Sequence, residues 1–230
     1  MNHGLLELLI KITTLITIGK IGGGEIFTSK EHTILRKLST PSKIQDYLNT
    51  LKINFEQDGD TAHSPRWVMR AGEAHCLEGA LLAALALWYH GHKPLLLDLV
   101  SDEPDTDHVV ALFQKHGHWG AISKTNHAVL RYREPVYESI HELVMSYFHE
   151  YFLDNGKKTL RDYAGPLNLA KIRDTSWITA EENIFHIVDW INDQTHYKIM
   201  EPAMIRGLRP ADPIERRAGK IVDTSKAIAR

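Results

Sequence analysis

The chain has 230 residues, of which 43% are hydrophobic and 24% are charged, and it contains a single cysteine. This length suits one domain that buries enough apolar surface to fold without cross-links. One cysteine excludes an intramolecular disulfide and a zinc site built from several thiolates. The 27 Lys and Arg residues against 29 Asp and Glu residues give a net charge of -2, which excludes an overall basic field for nucleic acid.

The first 39 residues are interpreted as an N-terminal extension that contains a glycine-rich linker. Residues 4–18 are mostly apolar, but Glu7 and Lys11 interrupt them, and the stretch is shorter than the ~20 residues that a membrane-spanning helix needs. Only Asn2 and His3 follow the initial methionine, so the positive charge that a secretory signal carries there is missing. The sequence therefore predicts a cytoplasmic protein without a membrane span.

The most distinctive element of the sequence is a helix that begins at Cys76. Almost every residue from Leu77 to Tyr89 is apolar, which predicts a helix that is covered on all sides. Gly91 and Pro94 are signals for its end. A shorter helix is expected earlier, over residues 41–51, where apolar residues recur at helical spacing.

Strands are expected after the cysteine helix, at residues 95–100, 108–113, 119–123 and 128–132, and their short connections favour an antiparallel sheet. Two amphipathic helices follow, over residues 139–152 and 181–194. Each has a capping-box spacing at its start, Ser139 with Glu142 and Thr179 with Glu182. The sequence thus predicts an α+β domain over residues 40–204. Residues 205–230 are basic with few apolar residues, so they are interpreted as a flexible tail.

The position of Cys76 at the start of a helix has a chemical consequence. The thiolate is the reactive form of cysteine, and the unpaired N–H groups and the dipole at a helix N-terminus stabilise it. A nucleophilic thiol also needs a base, and His108, at the start of a strand, is the candidate. The alternative is that Cys76 is a small apolar residue of the core, which is the more frequent role of a lone cysteine.

The order of these parts resembles one known family. Residues 72–94, GEAHCLEGALLAALALWYHGHKP, are similar to the cysteine-helix segment of transglutaminase-like proteins, within the papain-like cysteine protease and transglutaminase superfamily. The runs that begin at His108 and Gly117 resemble the next two blocks of that family, which hold its catalytic histidine and a Trp-containing strand that ends at its catalytic aspartate. The resemblance covers residues 70–132.

This resemblance implies both a fold and a chemistry. The fold is a papain-like α+β core in which the cysteine helix packs on an antiparallel sheet, with extra C-terminal helices. The chemistry is cysteine-dependent acyl transfer, with Cys76 in the position of the nucleophile and His108 in the position of the base.

The third catalytic position departs from the family pattern. Four residues after Trp119, where the family has aspartate, this chain has Ser123. A serine hydroxyl accepts a hydrogen bond from the imidazole, but it is neutral and stabilises an imidazolium less than a carboxylate does. Asn126 is the other candidate, because asparagine serves this role in papain-like enzymes. In a straight strand Asn126 would face the opposite side from Ser123.

Three residues near the cysteine are candidates for the substrate cleft or the oxyanion hole: Trp67, Arg70 and His75. Packing is the alternative role for Trp67 and Arg70. A zinc site that joins His75 and Cys76 to other histidines is a weaker alternative, because the spacing matches no standard pattern. We therefore expect no metal and no cofactor.

The sequence leads to two hypotheses of function. The first is a cysteine hydrolase or acyltransferase that acts on a peptide or protein substrate, with hydrolysis of a peptide, amide or isopeptide bond as the expected reaction. The second is a catalytically degenerate protein of the same fold that binds a peptide or protein partner in the same cleft. The enzyme hypothesis requires Cys76 beside His108 in an open cleft.

Overall fold

The computed structural model describes residues 26–223 of the chain. The apolar segment at 4–18 and the glycines at 22–24 lie outside these residues. Within residues 26–223 the fold is α+β, and helices pack on both faces of a six-stranded antiparallel sheet. The sequence predicted both the α+β class and the antiparallel sheet. In the same range, no helix has the length and apolar content that crossing a membrane requires.

Nine α-helices are present in the described range. In chain order they are α1 (Ser29–Lys37), α2 (Pro41–Thr50), α3 (Pro65–Ala71), α4 (Cys76–Tyr89), α5 (Ile140–Phe148), α6 (Ser176–Thr179), α7 (Phe185–Asn192), α8 (Pro202–Arg206) and α9 (Pro213–Gly219). Local chemistry explains several helix starts. The side chains of Thr28, Thr40 and Ser64 each accept a hydrogen bond from a first-turn N–H group, which the helix itself leaves unpaired.

The strands form two sheets. A two-residue parallel pair joins β1 (Lys52–Ile53) to β2 (Glu73–Ala74). The main sheet contains β3 (Leu95–Ser101), β4 (His108–Lys115), β5 (His118–Ile122), β6 (Arg133–Tyr137), β7 (Leu160–Asn168) and β8 (His196–Lys198), in the order β6-β5-β4-β3-β7-β8. All its neighbouring strands are antiparallel. β4 is therefore an inner strand, and His108 is its first residue.

Each face of the main sheet has its own apolar core. On one face, Leu96 and Ala111 pack with α4 and with residues of α1–α3, α6 and α7. On the other face, Leu97 and Val110 pack with α5. Because successive residues of a strand point to opposite faces, a strand with both faces covered is apolar at nearly every position. This explains why β3 is apolar from Leu95 to Val100 except at Asp98, and why β4 is apolar from Val109 to Phe113.

Helix α4 is the buried element that the sequence predicted. Residues 77–87 and Tyr89 are all buried. The helix also comes unusually near the segment that follows β5, because a Cβ atom at Gly79 would lie 2.4 Å from the Cβ of Lys124. Glycine at this position therefore allows the first turn of α4 to approach the end of β5 closely.

Several predicted elements are wrong in position. Residues 128–132 are not a strand, since the next strand begins at Arg133, and Leu130 has a φ of 57°, outside the range of strands. The helix predicted over 181–194 begins only at Phe185, because Thr179 ends α6 and the Ile184 N–H binds a carbonyl of the 54–63 loop. The helix predicted over 139–152 covers only residues 140–148.

The folded domain is larger than residues 40–204. Phe27, Leu35 and Leu38 belong to the core on the α4 face, so the predicted boundary after residue 39 is wrong. The predicted flexible tail is also wrong for residues 205–223. This segment contains α9, and residues 221–223 pair with the backbone of residues 126–128.

Candidate active site

Cys76 is the first residue of α4, and His75 occupies the position before the helix. The N–H groups of a first turn have no partner within the helix, and they form the positive end of its dipole. Cys76 is partly exposed as a residue, although its sulfur lies deep enough for burial to act on its pKa. The thiol therefore sits at an electropositive position, at the head of a buried helix.

His108 reaches the site from the first position of β4, and only 6% of the residue is exposed. Across β4 and β5, Ala111 pairs with Ile122. The next residue, Ser123, therefore lies opposite Val110 and turns its side chain to the same face as His108. The two side chains meet, with Nε2 of His108 2.8 Å from Oγ of Ser123.

The hydrogen bonds of Ser123 determine which nitrogen of His108 faces the thiol. The hydroxyl of Ser123 donates its one proton to the carbonyl oxygen of Leu130, at 2.6 Å. It can only accept from His108, so Nε2 of that ring carries a proton. This leaves Nδ1 of His108 for the sulfur of Cys76. A thiol, an imidazole and a hydroxyl thus form one hydrogen-bonded chain.

The thiol of Cys76 is strongly acidic in this environment. Burial by itself raises the pKa of the thiol. Hydrogen bonds with His108 and His75 and the positive charges of both rings outweigh burial, and they lower the pKa from 9.0 to about 5. At neutral pH the sulfur is therefore a thiolate, the form that attacks a carbonyl carbon.

The structure brings together four of the seven site residues proposed from the sequence, namely Cys76, His75, His108 and Ser123. Of the two candidates for the third position, Ser123 is the one whose side chain lies against Nε2 of His108. The backbone carbonyl of Asn126 instead accepts a hydrogen bond from the N–H of Asp223, at 2.7 Å. The paired C-terminal segment thus holds Asn126 by its backbone.

Trp67 and Arg70 lie on α3, outside the chain from thiol to hydroxyl. Trp67 stacks on His63, with ring centroids 3.6 Å apart. The guanidinium of Arg70 pairs with the carboxylate of Glu181 at 2.5 Å, and both side chains are more than half exposed. Arg70 is therefore held at the surface by Glu181, and both residues line a second cavity, of about 330 Å³.

The group that holds the backbone of Ser123 was not found from the sequence. Gln45 of α2 is buried. Its Nε2 donates to the carbonyl of Ser123 at 2.8 Å, and its Oε1 accepts from the N–H of Ser123 at 3.0 Å. A glutamine on an amphipathic helix carries no signal of such a role, because its partner is distant in the sequence.

The loop that supplies the Leu130 carbonyl is itself held by charged side chains. The N–H of Leu130 donates to Glu150 at 2.7 Å, and Glu150 pairs with Arg133 at 2.8 Å. The φ of 57° at Leu130 is unfavourable for a bulky residue. These contacts therefore hold the Leu130 carbonyl toward Ser123 against a local conformational cost.

A buried carboxyl group on β3 also acts on the site. Asp98 is 2% exposed. Burial and the negative charge of Asp107 raise the pKa of Asp98 to about 7, against the opposing effect of His196. Cys76 and His108 lie within electrostatic range of this carboxyl. The charge of Asp98 therefore changes close to neutral pH, near the thiolate.

A cavity of about 280 Å³ opens beside His108. Its walls come from the 105–108 loop, the 125–130 loop, residues that follow α5, and α9 with Lys220 after it. The cavity suits a side chain or a short peptide segment better than a large ligand. His108 is thus reachable from a cleft.

No protein-family model matches this chain, and no curated protein matches it either. Within the part of the chain that the structure describes, no group of three or more His, Cys, Asp or Glu side chains is arranged to hold a metal ion. The site offers a thiolate, two imidazoles and a hydroxyl.

Proposed function

We propose that this protein is a transglutaminase-like cysteine hydrolase or acyltransferase of the papain-like superfamily. The observation that carries the proposal is the chain of hydrogen bonds from Cys76 through His108 to Ser123. Acyl transfer by a thiol needs a nucleophile beside a base, and a group that orients the other nitrogen of the base. The packing of α4 on an antiparallel sheet and the resemblance over residues 70–132 support the same proposal.

In the proposed reaction the thiolate of Cys76 attacks the carbonyl carbon of an amide, and the carbonyl oxygen becomes negative. The N–H of Cys76 has no partner within α4, so it is available to stabilise that oxygen. His108, which holds the proton taken from the thiol, gives it to the leaving amine as the C–N bond breaks. The acyl group then remains on the sulfur as a thioester.

The second half of the reaction releases the acyl group. A water molecule attacks the thioester carbon while His108 takes a proton from the water. The C–S bond breaks, the carboxylic acid leaves, and Cys76 is again a thiolate. Water as the acceptor gives hydrolysis of a peptide, amide or isopeptide bond, and a lysine amine as the acceptor gives cross-linking. We propose hydrolysis as the reaction.

Intact-mass spectrometry tests the proposal, because any thioester in this chain must form at its single cysteine. With a p-nitrophenyl ester of a blocked amino acid as the acyl donor, the wild-type protein should form an acyl-enzyme that water hydrolyses. Cys76→Ala should form none, and His108→Ala should lose at least about 100-fold in rate. His141→Ala is the matched control, because it removes an exposed histidine of α5.

Two outcomes contradict the enzyme hypothesis. One is a folded wild-type protein that no ester or peptide donor acylates, and the other is acylation at a rate that does not depend on His108. Either outcome would favour the alternative of a degenerate protein that binds a peptide in the same cleft. The neutral hydroxyl of Ser123, in the place of a carboxylate, is the observation that favours this alternative.

A further inference from the structure

His75, the residue before the nucleophile, is a second histidine beside the sulfur of Cys76. Its Nε2 faces three oxygen atoms, the Thr61 carbonyl at 3.1 Å, Oε1 of Glu78 at 3.4 Å and Oε1 of Glu56 at 3.8 Å. Because all three oxygens are acceptors, Nε2 carries a proton, which leaves Nδ1 for the first turn of α4, where the sulfur lies.

The carboxylate that faces His75 is held in place by several donors. Glu78 is 0% exposed, and it accepts hydrogen bonds from the backbone N–H of His75 at 2.9 Å and that of His63 at 3.0 Å. Nδ1 of His63 lies 2.6 Å from the same carboxylate, and Asn54 Nδ2 and Thr61 Oγ1 each lie 3.2 Å from it. A buried carboxylate is stable only where it is paired and hydrogen-bonded, and this network meets that need.

The position between a carboxylate and a thiol favours the charged form of His75. Burial lowers the pKa of His75. The hydrogen bond with Cys76 and the negative charges of Glu78, Cys76 and Glu56 outweigh burial and raise the pKa to about 9. The ring is therefore an imidazolium at neutral pH.

We propose that His75 is a second catalytic histidine, held by Glu78 as an imidazolium that keeps Cys76 in the thiolate form. This inference deepens the proposed acyl transfer and rests on it. Both histidines then stabilise the thiolate, His108 more strongly than His75, and only His108 also transfers protons. An imidazolium beside a carboxylate holds its proton tightly, which suits a ring that stays charged.

The presence of a second histidine accounts for Ser123 at the position where the family has a catalytic aspartate. Where a carboxylate is the third residue, it stabilises the imidazolium, and the imidazolium stabilises the thiolate. Ser123 cannot supply that negative charge. In this protein Glu78 supplies it through His75, so a thiolate is maintained although the partner of His108 is neutral.

Two further titratable groups lie within electrostatic range of the sulfur of Cys76. They are Asp98 on β3 and Tyr151 after α5. Asp98 becomes negative only as the pH rises through about 7. Burial raises the pKa of Tyr151, so its hydroxyl stays neutral. Below pH 7 the acidity of the thiol is therefore governed by the two imidazoles and by the carboxylates that face His75.

The pH dependence of alkylation by iodoacetamide tests the role of His75, and it needs neither a substrate nor turnover. In the wild-type protein the apparent pKa of the thiol should be about 5. His75→Gln should raise this pKa by about 2 units, so that alkylation at about pH 6 slows roughly tenfold. His108→Ala should slow acyl turnover by at least about 100-fold, yet the pKa of the thiol should stay well below 9.0, because His75 remains.

Glu56→Gln is the second variant, because the side chain of Glu56 is 36% exposed and glutamine keeps the oxygen that binds Thr61. It removes a negative charge 3.8 Å from Nε2 of His75. The pKa of the thiol should rise, by less than in His75→Gln. This variant decides the question if His75→Gln does not fold. His141→Gln is the matched control and should leave the pKa unchanged.

An unchanged pKa of the thiol in His75→Gln, or in Glu56→Gln where the first variant does not fold, would overturn the inference. A return of the pKa to about 9.0 in His108→Ala, with His75 intact, would also overturn it. If alkylation follows the expected pattern but no donor acylates Cys76, the proposed hydrolysis fails while the role of His75 in holding the thiolate stands.

Discussion

The side-chain amide of Gln45 is bound to both backbone hydrogen-bonding groups of Ser123, at 2.8 Å and 3.0 Å. Ser123 follows the last residue of β5, so these backbone groups lie just beyond the strand. The amide of Gln45 takes the place of a neighbouring strand there and holds the residue in an extended position. The hydroxyl of Ser123 is thereby kept between His108 and the Leu130 carbonyl.

Replacement of Gln45 should therefore affect both stability and catalysis. Gln45→Ala leaves the buried N–H and carbonyl of Ser123 without partners, which should lower the free energy of unfolding by about 1–3 kcal/mol. Acyl turnover should fall because the hydroxyl is no longer held. Urea denaturation and the acyl-enzyme assay measure the two effects. Gln114→Ala removes an exposed glutamine of β4 as a control, and equal stability of the two variants would contradict the prediction.

Substitutions at Ser123 test whether the hydroxyl is fitted to its two partners. Ser123→Ala leaves Nε2 of His108 unpaired and should slow acyl turnover by about 10- to 100-fold. Ser123→Asp should be no faster than Ser123→Ala. Its carboxylate has no proton to donate to the Leu130 carbonyl, which lies 2.6 Å from the serine oxygen. The rates of acylation and deacylation are the measurement. An aspartate variant faster than the wild-type protein would contradict this account, and Ser39→Ala on the surface is the control.

Removal of Glu150 should loosen the loop that carries the Leu130 carbonyl. Glu150→Ala leaves the Leu130 N–H without its acceptor and Arg133 without its ion pair. Hydrogen exchange at the Leu130 amide should become at least about tenfold faster, and turnover should fall with it. Glu150→Gln keeps an acceptor oxygen, so its effect should be smaller. Glu138→Ala is the exposed control, and the same exchange rate in both alanine variants would refute the prediction.

The raised pKa of Asp98 predicts how stability depends on pH. The folded protein binds a proton at Asp98 up to about pH 7, whereas the ordinary pKa of aspartate is 3.8. The stabilisation from this proton is complete below about pH 4 and is lost as the pH rises through about 7. Asp98→Asn should remove that loss and exceed the wild-type protein in stability at about pH 8 by roughly 1–4 kcal/mol.

Urea denaturation at about pH 4 and pH 8 measures this effect of Asp98. The wild-type protein should lose more stability between the two values than Asp98→Asn does. Asp58→Asn, at an exposed turn, is the control and should follow the wild-type protein. If Asp98→Asn loses more stability between these pH values than the wild-type protein does, the effect has the opposite sign to the prediction. That result would contradict a buried, neutral carboxyl at Asp98.

The close approach of Gly79 to Lys124 predicts a steric effect in the first turn of α4, next to Cys76. Gly79→Ala places a Cβ 2.4 Å from the Cβ of Lys124, so α4 or the end of β5 must shift. We expect a loss of about 1–3 kcal/mol in the free energy of unfolding. Gly207→Ala is the matched control, because its new Cβ meets only ordinary contacts, the nearest at 3.6 Å. Equal melting temperatures for the two variants would contradict the close approach.

The parts of the fold that the sequence predicted well are those whose signal is local. The burial of α4 shows in the apolar run from Ala80 to Tyr89, and the start of α5 shows in Ser139, whose oxygen accepts the N–H of Glu142. Strand β7 was missed because Gly165 and Pro166 lie within it and usually mark a turn. The strand expected at 128–132 failed because contacts with distant residues pull the Leu130 backbone into another conformation.

The sequence by itself determined the nucleophile and the base as candidates, because a cysteine at the head of an apolar helix and a histidine at the start of a strand are local features. Only the tertiary structure decided between Ser123 and Asn126. The antiparallel register of β4 and β5 turns Ser123 toward His108, and the buried amide of Gln45 holds it there. Neither feature can be read from the spacing of residues in the sequence. The environment of His75 also depends on the tertiary structure, because oxygens of the 54–63 loop and of Glu78 surround Nε2 of its ring.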